Sequence, residues 1–149
     1  MNARKDLQMQ NPLAIAALAM TALLPHSGSR MPDHRLTPGA VLPVTSAQVC
    51  RSGYAHGARH PFDAAWRARV SEVRRSYGLR NGVGYKIDHL VPIELGGAPF
   101  DKRNLWPQRT ADASIKDGLE NALHARVCRG SISLAAAQRE FMANWTTAR

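Results

Sequence analysis

Residues 82–108 restrict the possible folds of this 149-residue chain more than any other segment. Two short apolar groups stand there on either side of the Gly96-Gly97 turn signal, and neither is long enough for a helix. The first group is Tyr85, Ile87 and Val91, stopped by Pro92. The second is Leu105 and Trp106, which follow Asn104 and end at Pro107. The segment predicts a β-hairpin with a long, irregular loop, whose second arm is a short strand or a bend.

Amphipathic helices are predicted on both sides of this hairpin, because apolar residues recur at helical spacing. The three stripes are Trp66, Val70, Val73 and Tyr77; Ile115, Leu119, Leu123 and Val127; and Leu134, Ala137, Phe141 and Trp145. Gly78 is placed to end the first helix, and Asp112 and Ser133 to cap the others. The order predicts a small single α+β domain over residues 49–149, after an extended lead-in over residues 30–48.

The charge of the chain points to a polyanionic partner. It carries 20 basic and 11 acidic residues, a net charge of +9. Sixteen of the basic residues are Arg, whose planar guanidinium suits bidentate contact with phosphate, although a high-GC genome would also favour Arg over Lys. The sign of the charge favours nucleic acid under either explanation.

The first 29 residues have the pattern of a signal peptide or apolar leader. Arg4 and Lys5 precede the apolar run 13–24, and small residues follow it. Twelve helical residues span about 18 Å, against about 30 Å for a bilayer core, so we expect no membrane span. If these residues are a signal peptide, the protein is exported and is periplasmic or secreted. If they are not, or if the start codon has been assigned too early, we expect a cytoplasmic protein.

Cys50 and Cys128 are the only cysteines. One disulfide between them would agree with export and would stabilise the fold by roughly 4 kcal/mol, on the chain-entropy model. Two buried free thiols are the alternative.

Polar residues in and after the hairpin form an ordered set. Asp88 and His89 are adjacent in a mostly apolar strand, where polar groups are costly without partners. Asn104 follows, and then Asp112 at the start of the second helix, with Lys116 and Glu120 at successive i+4 positions.

This set resembles the HNH, or His-Me finger, nuclease family. The resembling residues are D-H-L-V-P-I-E-L-G-G at 88–97, N-L-W-P-Q at 104–108 and D-A-S-I-K-D at 112–117. The resemblance implies a metal-centred ββα core, in which a hairpin and the following helix form the site, flanked here by further helices. It also implies a hydrolase that cleaves phosphodiester bonds, with DNA favoured as the substrate and low sequence specificity.

The resemblance assigns roles to individual residues. His89 matches the general base, Asp88 the carboxylate that binds one divalent ion, and Asn104 the residue that orients the histidine or holds the loop. Asp112 falls at the second metal ligand, and Lys116 is placed to meet a phosphate. Two carboxylates suit Mg²⁺ or Mn²⁺. We expect Arg59 and Arg103 to contact nucleic acid with Lys116.

Several alternatives remain open at this point. The family has His or Asn where this chain has Asp112. The alternative is that Asp112 is only a helix cap, with Asp117 or Glu120 as the ligand. Strand alternation would put Asp88 and His89 on opposite faces, so the site requires a strand end or a bulge. Glu94 is either a site carboxylate or a solvated loop residue. The leading alternative function is a non-catalytic, basic nucleic-acid-binding protein that keeps the ββα scaffold.

Overall fold

A computed structural model describes residues 29–59 and 63–149. In these ranges the chain has five α-helices and one two-stranded antiparallel sheet, so the α+β class is confirmed. The elements are α1 (Ser46–Val49), α2 (Tyr54–Ala58), α3 (Ala64–Ser76), β1 (Tyr85–His89), β2 (Leu105–Arg109), α4 (Ala113–Cys128) and α5 (Leu134–Asn144). The predicted leader lies outside the described ranges, apart from Ser29. None of the helices described is both long enough and apolar enough to cross a membrane.

The helix ends follow from local sequence. Asp63 caps α3 by accepting a hydrogen bond from the Trp66 N–H at 3.0 Å, and Ser133 caps α5 in the same way from Ala136 at 3.1 Å. Gly78 follows α3 with a left-handed φ of 67°, which glycine adopts without strain. The predicted ends at Gly78 and Ser133 are confirmed.

The hairpin pairs β1 with β2 in a regular register, from Tyr85 opposite Arg109 to His89 opposite Leu105. Two expectations about its ends were wrong. β1 ends at His89 and not at Val91, and β2 runs through Pro107 instead of stopping there. Each strand of a two-stranded sheet has a free edge, where a residue without an N–H is tolerated.

Two apolar clusters hold the domain together. The larger joins α4 and α5 to α1 and to residues 90–95, and includes Leu123, Phe141 and Trp145. The smaller joins α3 to the sheet through Trp66, Val73 and Leu105. The loop between the two strands therefore lies between α4 on one side and the sheet on the other.

The buried face of α4 differs from the predicted stripe. Leu123 and Val127 are buried as expected, but Ile115 is 51% exposed and Lys116 is completely buried. Residues spaced by four drift around a helix of 3.6 residues per turn, so one stripe cannot stay on the core side over three turns. The first turn of α4 instead turns a lysine toward the core.

A disulfide joins Cys50, directly after α1, to Cys128 at the end of α4, with Cα atoms 5.5 Å apart. The predicted pairing is confirmed, and it is compatible with an exported protein.

Candidate active site

A cleft of about 640 Å³ opens between the end of β1, the first turn of α3 and the first half of α4. Its acidic and amide side chains are Asp88, Glu94, Asp117, Glu120 and Asn121, and its basic ones are Arg59, Lys86 and His89. Four carboxyl groups thus concentrate negative charge in one cleft of a strongly basic protein.

His89 is held in a defined orientation at this cleft. Its Nε2 lies 3.0 Å from the Pro99 carbonyl oxygen, and its ring stacks on Trp66 with centroids 6.4 Å apart. A carbonyl only accepts hydrogen bonds, so Nε2 carries the hydrogen and Nδ1 is the basic nitrogen of the neutral ring. Nδ1 lies 3.9 Å from Oδ1 of Asp88. The arrangement fixes which nitrogen can take a proton.

Asp88 and His89 share the cleft because β1 ends at His89. The register contains no extra residue, so a strand end and not a bulge meets the geometric requirement. Asp88 accepts a hydrogen bond from the His89 N–H at 2.8 Å and pairs with Lys86 at 3.2 Å. Burial by itself would raise the pKa of Asp88, but the charges of Lys116 and Lys86 outweigh it and leave that pKa below its usual value. Asp88 is therefore an anion at neutral pH.

Asn104 holds the loop that follows β1. It is completely buried, and its Oδ1 accepts the Val91 N–H at 2.9 Å. Its Nδ2 donates to the carbonyl oxygens of Val91 at 3.0 Å and Ala98 at 3.2 Å. Of the two roles that the resemblance implies for Asn104, these contacts match the one of holding the loop. The His89 ring is oriented by Pro99 and Trp66.

Glycine is required at position 97 for the same loop. A Cβ there would lie 1.9 Å from the Val91 carbonyl oxygen, much closer than any real contact. The double glycine thus lets the chain fold back on the residues that follow the strand.

Lys116 lies beneath the cleft and does not line it. Its ammonium pairs with the Glu120 carboxylate and lies 5.6 Å from the Phe141 ring centroid. This pair joins positions i and i+4 of α4, with the Lys116 side chain completely buried and the Glu120 side chain 19% exposed. Burial raises the pKa of Glu120 to about 7, with Lys116 opposing the shift and Asp88 and Glu94 adding to it. A buried Lys among three carboxyl groups acts as an internal counter-ion.

Glu94 belongs to the cleft and is not a solvated loop residue. It lies in a 3₁₀ turn, Ile93–Leu95, and is half-buried. Burial raises its pKa, partly offset by the charges of His124 and Lys116. Its Oε1 has no hydrogen-bond partner in the part of the chain that the structure describes. A proton, a water molecule or a cation would satisfy a half-buried carboxylate oxygen in this state.

Asp112 lies outside the cleft. It directly precedes α4, but its side chain makes no capping hydrogen bond and it is not among the residues that line the cleft. Its carboxylate pairs with Arg30 at 3.2 Å and Arg109 at 3.8 Å. Neither sequence interpretation of this residue, as a metal ligand or as a cap, matches these contacts.

The two arginines expected to contact nucleic acid have different surroundings. Arg59 lines the cleft and is exposed. Arg103 is outside it, and its guanidinium pairs with Asp101 at 2.6 Å. Trp66 and Asn121 also line the cleft, which was not predicted from the sequence. The helical spacing of 117, 120 and 121 would have predicted that all three share a face.

The donor set of the cleft suits a hard divalent cation, because it consists of carboxylate and amide oxygens and includes the unpartnered Glu94 oxygen. These oxygens are not as tightly clustered as a formed metal site. Within the described ranges, three candidate ligand atoms lie within 4.8 Å of one another only at Cys50, His124 and Cys128. Comparisons of the chain with protein-family models, curated proteins and solved structures give no match.

Proposed function

We propose that this chain is a metal-dependent nuclease of the HNH type, which hydrolyses phosphodiester bonds in nucleic acid with His89 as general base. One observation carries the proposal: the Pro99 carbonyl fixes Nε2 of His89 as the donor, so the basic Nδ1 lies beside Asp88 in an acidic cleft. Hydrolysis of a phosphodiester requires a group that takes a proton from water at a fixed position, and this arrangement supplies one.

The neighbours of His89 support this role. Trp66 stacks on one side of the ring and Pro99 holds Nε2, so little orientational freedom remains to be lost on reaction. When Nδ1 takes a proton, the ring becomes a cation, and the anionic Asp88 at 3.9 Å stabilises it.

A divalent ion would be held by oxygens of Asp88 together with Glu94, Asp117 or Glu120. Asp117 and Glu120 replace Asp112 in the proposal, because Asp112 is not among the residues that line the cleft and its Oδ1 pairs with Arg30 at 3.2 Å. A bound Mg²⁺ or Mn²⁺ would neutralise charge on the phosphate in the transition state. It would also offset the repulsion between a polyanion and four carboxyl groups.

Positive charge at the rim of the cleft and on α3 supports binding of nucleic acid. Arg59 is at the cleft, and α3 carries Arg67, Arg69, Arg74 and Arg75, of which Arg67 and Arg75 are exposed. Arg69 also contacts the Phe100 ring and Glu72. Affinity that comes from such contacts falls steeply with salt and is largely independent of base sequence.

One observation favours the alternative, a non-catalytic nucleic-acid-binding protein. Lys116 already supplies a buried positive charge to Asp88, Glu94 and Glu120, so the carboxyl groups have a counter-ion without any metal. Such a protein would bind nucleic acid equally well with and without divalent ions.

Plasmid cleavage tests the proposal. The wild-type chain is incubated with supercoiled DNA in Mg²⁺, in Mn²⁺ and in chelator, beside His89→Ala and the control His56→Ala, whose histidine is exposed on α2. We expect metal-dependent cleavage that His89→Ala lowers at least 100-fold and His56→Ala leaves unchanged. Circular dichroism checks that both variants are folded. Binding without cleavage, in any metal, would establish the alternative instead; parallel reactions with single-stranded RNA decide the substrate.

A further inference from the structure

We propose that the reduced form of this chain binds one thiophilic divalent ion, such as Zn²⁺, through Cys50, His124 and Cys128. The ligand atoms of these three residues lie within 4.8 Å of one another, and the Cys128 Sγ is 3.4 Å from Nε2 of His124. This site is separate from the cleft, and its argument does not depend on the proposed nuclease activity.

The fold brings these residues together by more than the disulfide. His124 and Cys128 are one turn apart on α4 and therefore lie on the same face of the helix. Cys50 follows α1, and the preceding Val49 is buried in the larger apolar cluster. Nε2 of His124 also lies 3.0 Å from the Val49 carbonyl oxygen. Reduction breaks the sulfur–sulfur bond but leaves this packing, so the two thiols stay near the imidazole.

The donor set is chemically suited to zinc. Two thiolates and one imidazole form a recognised three-residue zinc set, with the fourth position left to water. Bond lengths of about 2.3 Å to sulfur and about 2.0 Å to nitrogen place tetrahedral ligand atoms about 3.5 Å apart. The sulfur–nitrogen distance of 3.4 Å already matches this value. Cys128 is exposed, so both a reductant and an ion can reach the site.

The reaction has two balanced steps. A dithiol reductant gives two electrons and two protons to the Cys50–Cys128 bond, producing two thiols, and becomes a disulfide itself. The ion then displaces a proton from each thiol and binds the neutral imidazole through Nε2. Nε2 now donates its hydrogen to the Val49 carbonyl, since that oxygen only accepts; on binding the ion, the hydrogen must move to Nδ1.

The consequence is that α1 and α4 stay linked in both redox states. The oxidised chain is closed by a covalent bond, and the reduced chain is closed by a coordinated ion. A ligand that binds the folded state alone stabilises it by mass action, so the ion would replace part of the stability lost with the disulfide.

Cobalt provides the probe, because Co²⁺ bound to thiolates in a tetrahedral site has distinctive absorption bands. The full chain is reduced, freed of reductant without oxygen and titrated with Co²⁺, and Zn²⁺ is then added in competition. We expect thiolate–Co²⁺ absorption bands that saturate at one ion per reduced chain, that disappear when Zn²⁺ is added, and that are absent from the oxidised chain. Cys50→Ser should abolish the bands, and His124→Ala should weaken binding at least tenfold, while the exposed control His56→Ala binds as wild type.

Three results would overturn the proposal. They are no thiolate–Co²⁺ bands in the reduced wild type, bands of equal affinity in His124→Ala, and bands that saturate at one ion for two chains. Unfolding on reduction is covered by a second measurement. If circular dichroism shows an unfolded reduced chain, Zn²⁺ must restore the native spectrum in the wild type but not in His124→Ala, and uptake without refolding counts against the site.

Discussion

Replacing Asn104 with alanine removes a side chain that satisfies three backbone groups inside the domain. The Val91 N–H and the carbonyl oxygens of Val91 and Ala98 each lose the partner they have in the folded chain. The position is completely buried, so water cannot replace the amide without opening the loop.

The magnitude follows from the cost of buried groups without partners. Each such group costs about 1–3 kcal/mol, and partial relaxation of the loop keeps the total near the lower end, at about 3–5 kcal/mol. For a domain of this size, 1 kcal/mol corresponds to roughly 4 °C in Tm, so we expect a Tm lower by about 12–20 °C.

Thermal unfolding followed by circular dichroism measures the change. Asn81→Ala is the matched control, since Asn81 is exposed and the same atoms are deleted. Asn104→Asp is a second variant, which keeps the shape but turns a carboxylate oxygen toward two carbonyl oxygens, and it should be at least as unstable as the alanine variant. A Tm within about 3 °C of wild type for Asn104→Ala would refute the reasoning that this amide holds the loop.

Three further predictions concern stability. Reducing the Cys50–Cys128 bond, with a separation of 78 residues, should lower the free energy of unfolding by roughly 4–5 kcal/mol in metal-free buffer, measured by urea unfolding; an unchanged midpoint would contradict it. Burial raises the pKa of Tyr77 from 10.0 to about 12, so the folded state prefers the neutral phenol. Stability should therefore fall between about pH 10 and 12, by up to ~2 kcal/mol, and Tyr77→Phe should lack that decline. Lys116→Met removes the counter-ion of Glu120, whose pKa of about 7 already exceeds its unfolded value of 4.5. The variant should lose about 3 kcal/mol at pH 8 and less at pH 5, where Glu120 is protonated; equal losses would exclude this origin.

The local parts of the fold were predictable because their causes lie within a few residues. The caps at Asp63 and Ser133, the stop at Gly78 and the buried stripe of α5 each depend on one helix and its ends. The disulfide was predictable because the chain offers only one pair of cysteines. The sequence also showed that Asp88 and His89 can share one cleft only if the strand ends or bulges there, and β1 does end at His89.

The composition of the cleft was not predictable in the same way. Glu94 and Asn121 look like ordinary polar residues in the sequence, and only the approach of α4 to the loop after β1 makes them neighbours. Asp112 matched a family position, but its partner Arg30 comes from the lead-in, 82 residues earlier in the chain. Nothing local to Asp112 indicates that pairing.

The sequence by itself determined the three longer helices, the hairpin, the single cross-link and the presence of a polar set in an apolar hairpin. These depend on hydrophobic periodicity and backbone preference, which short segments contain. The short helices α1 and α2 were not predicted, and α1 begins inside the segment expected to be extended. The tertiary structure alone decided that Lys116 is buried while Ile115 is exposed, and that the Pro99 carbonyl fixes the His89 ring. Burial and hydrogen bonding at a site depend on which groups pack opposite each residue, and those groups come from distant parts of the chain.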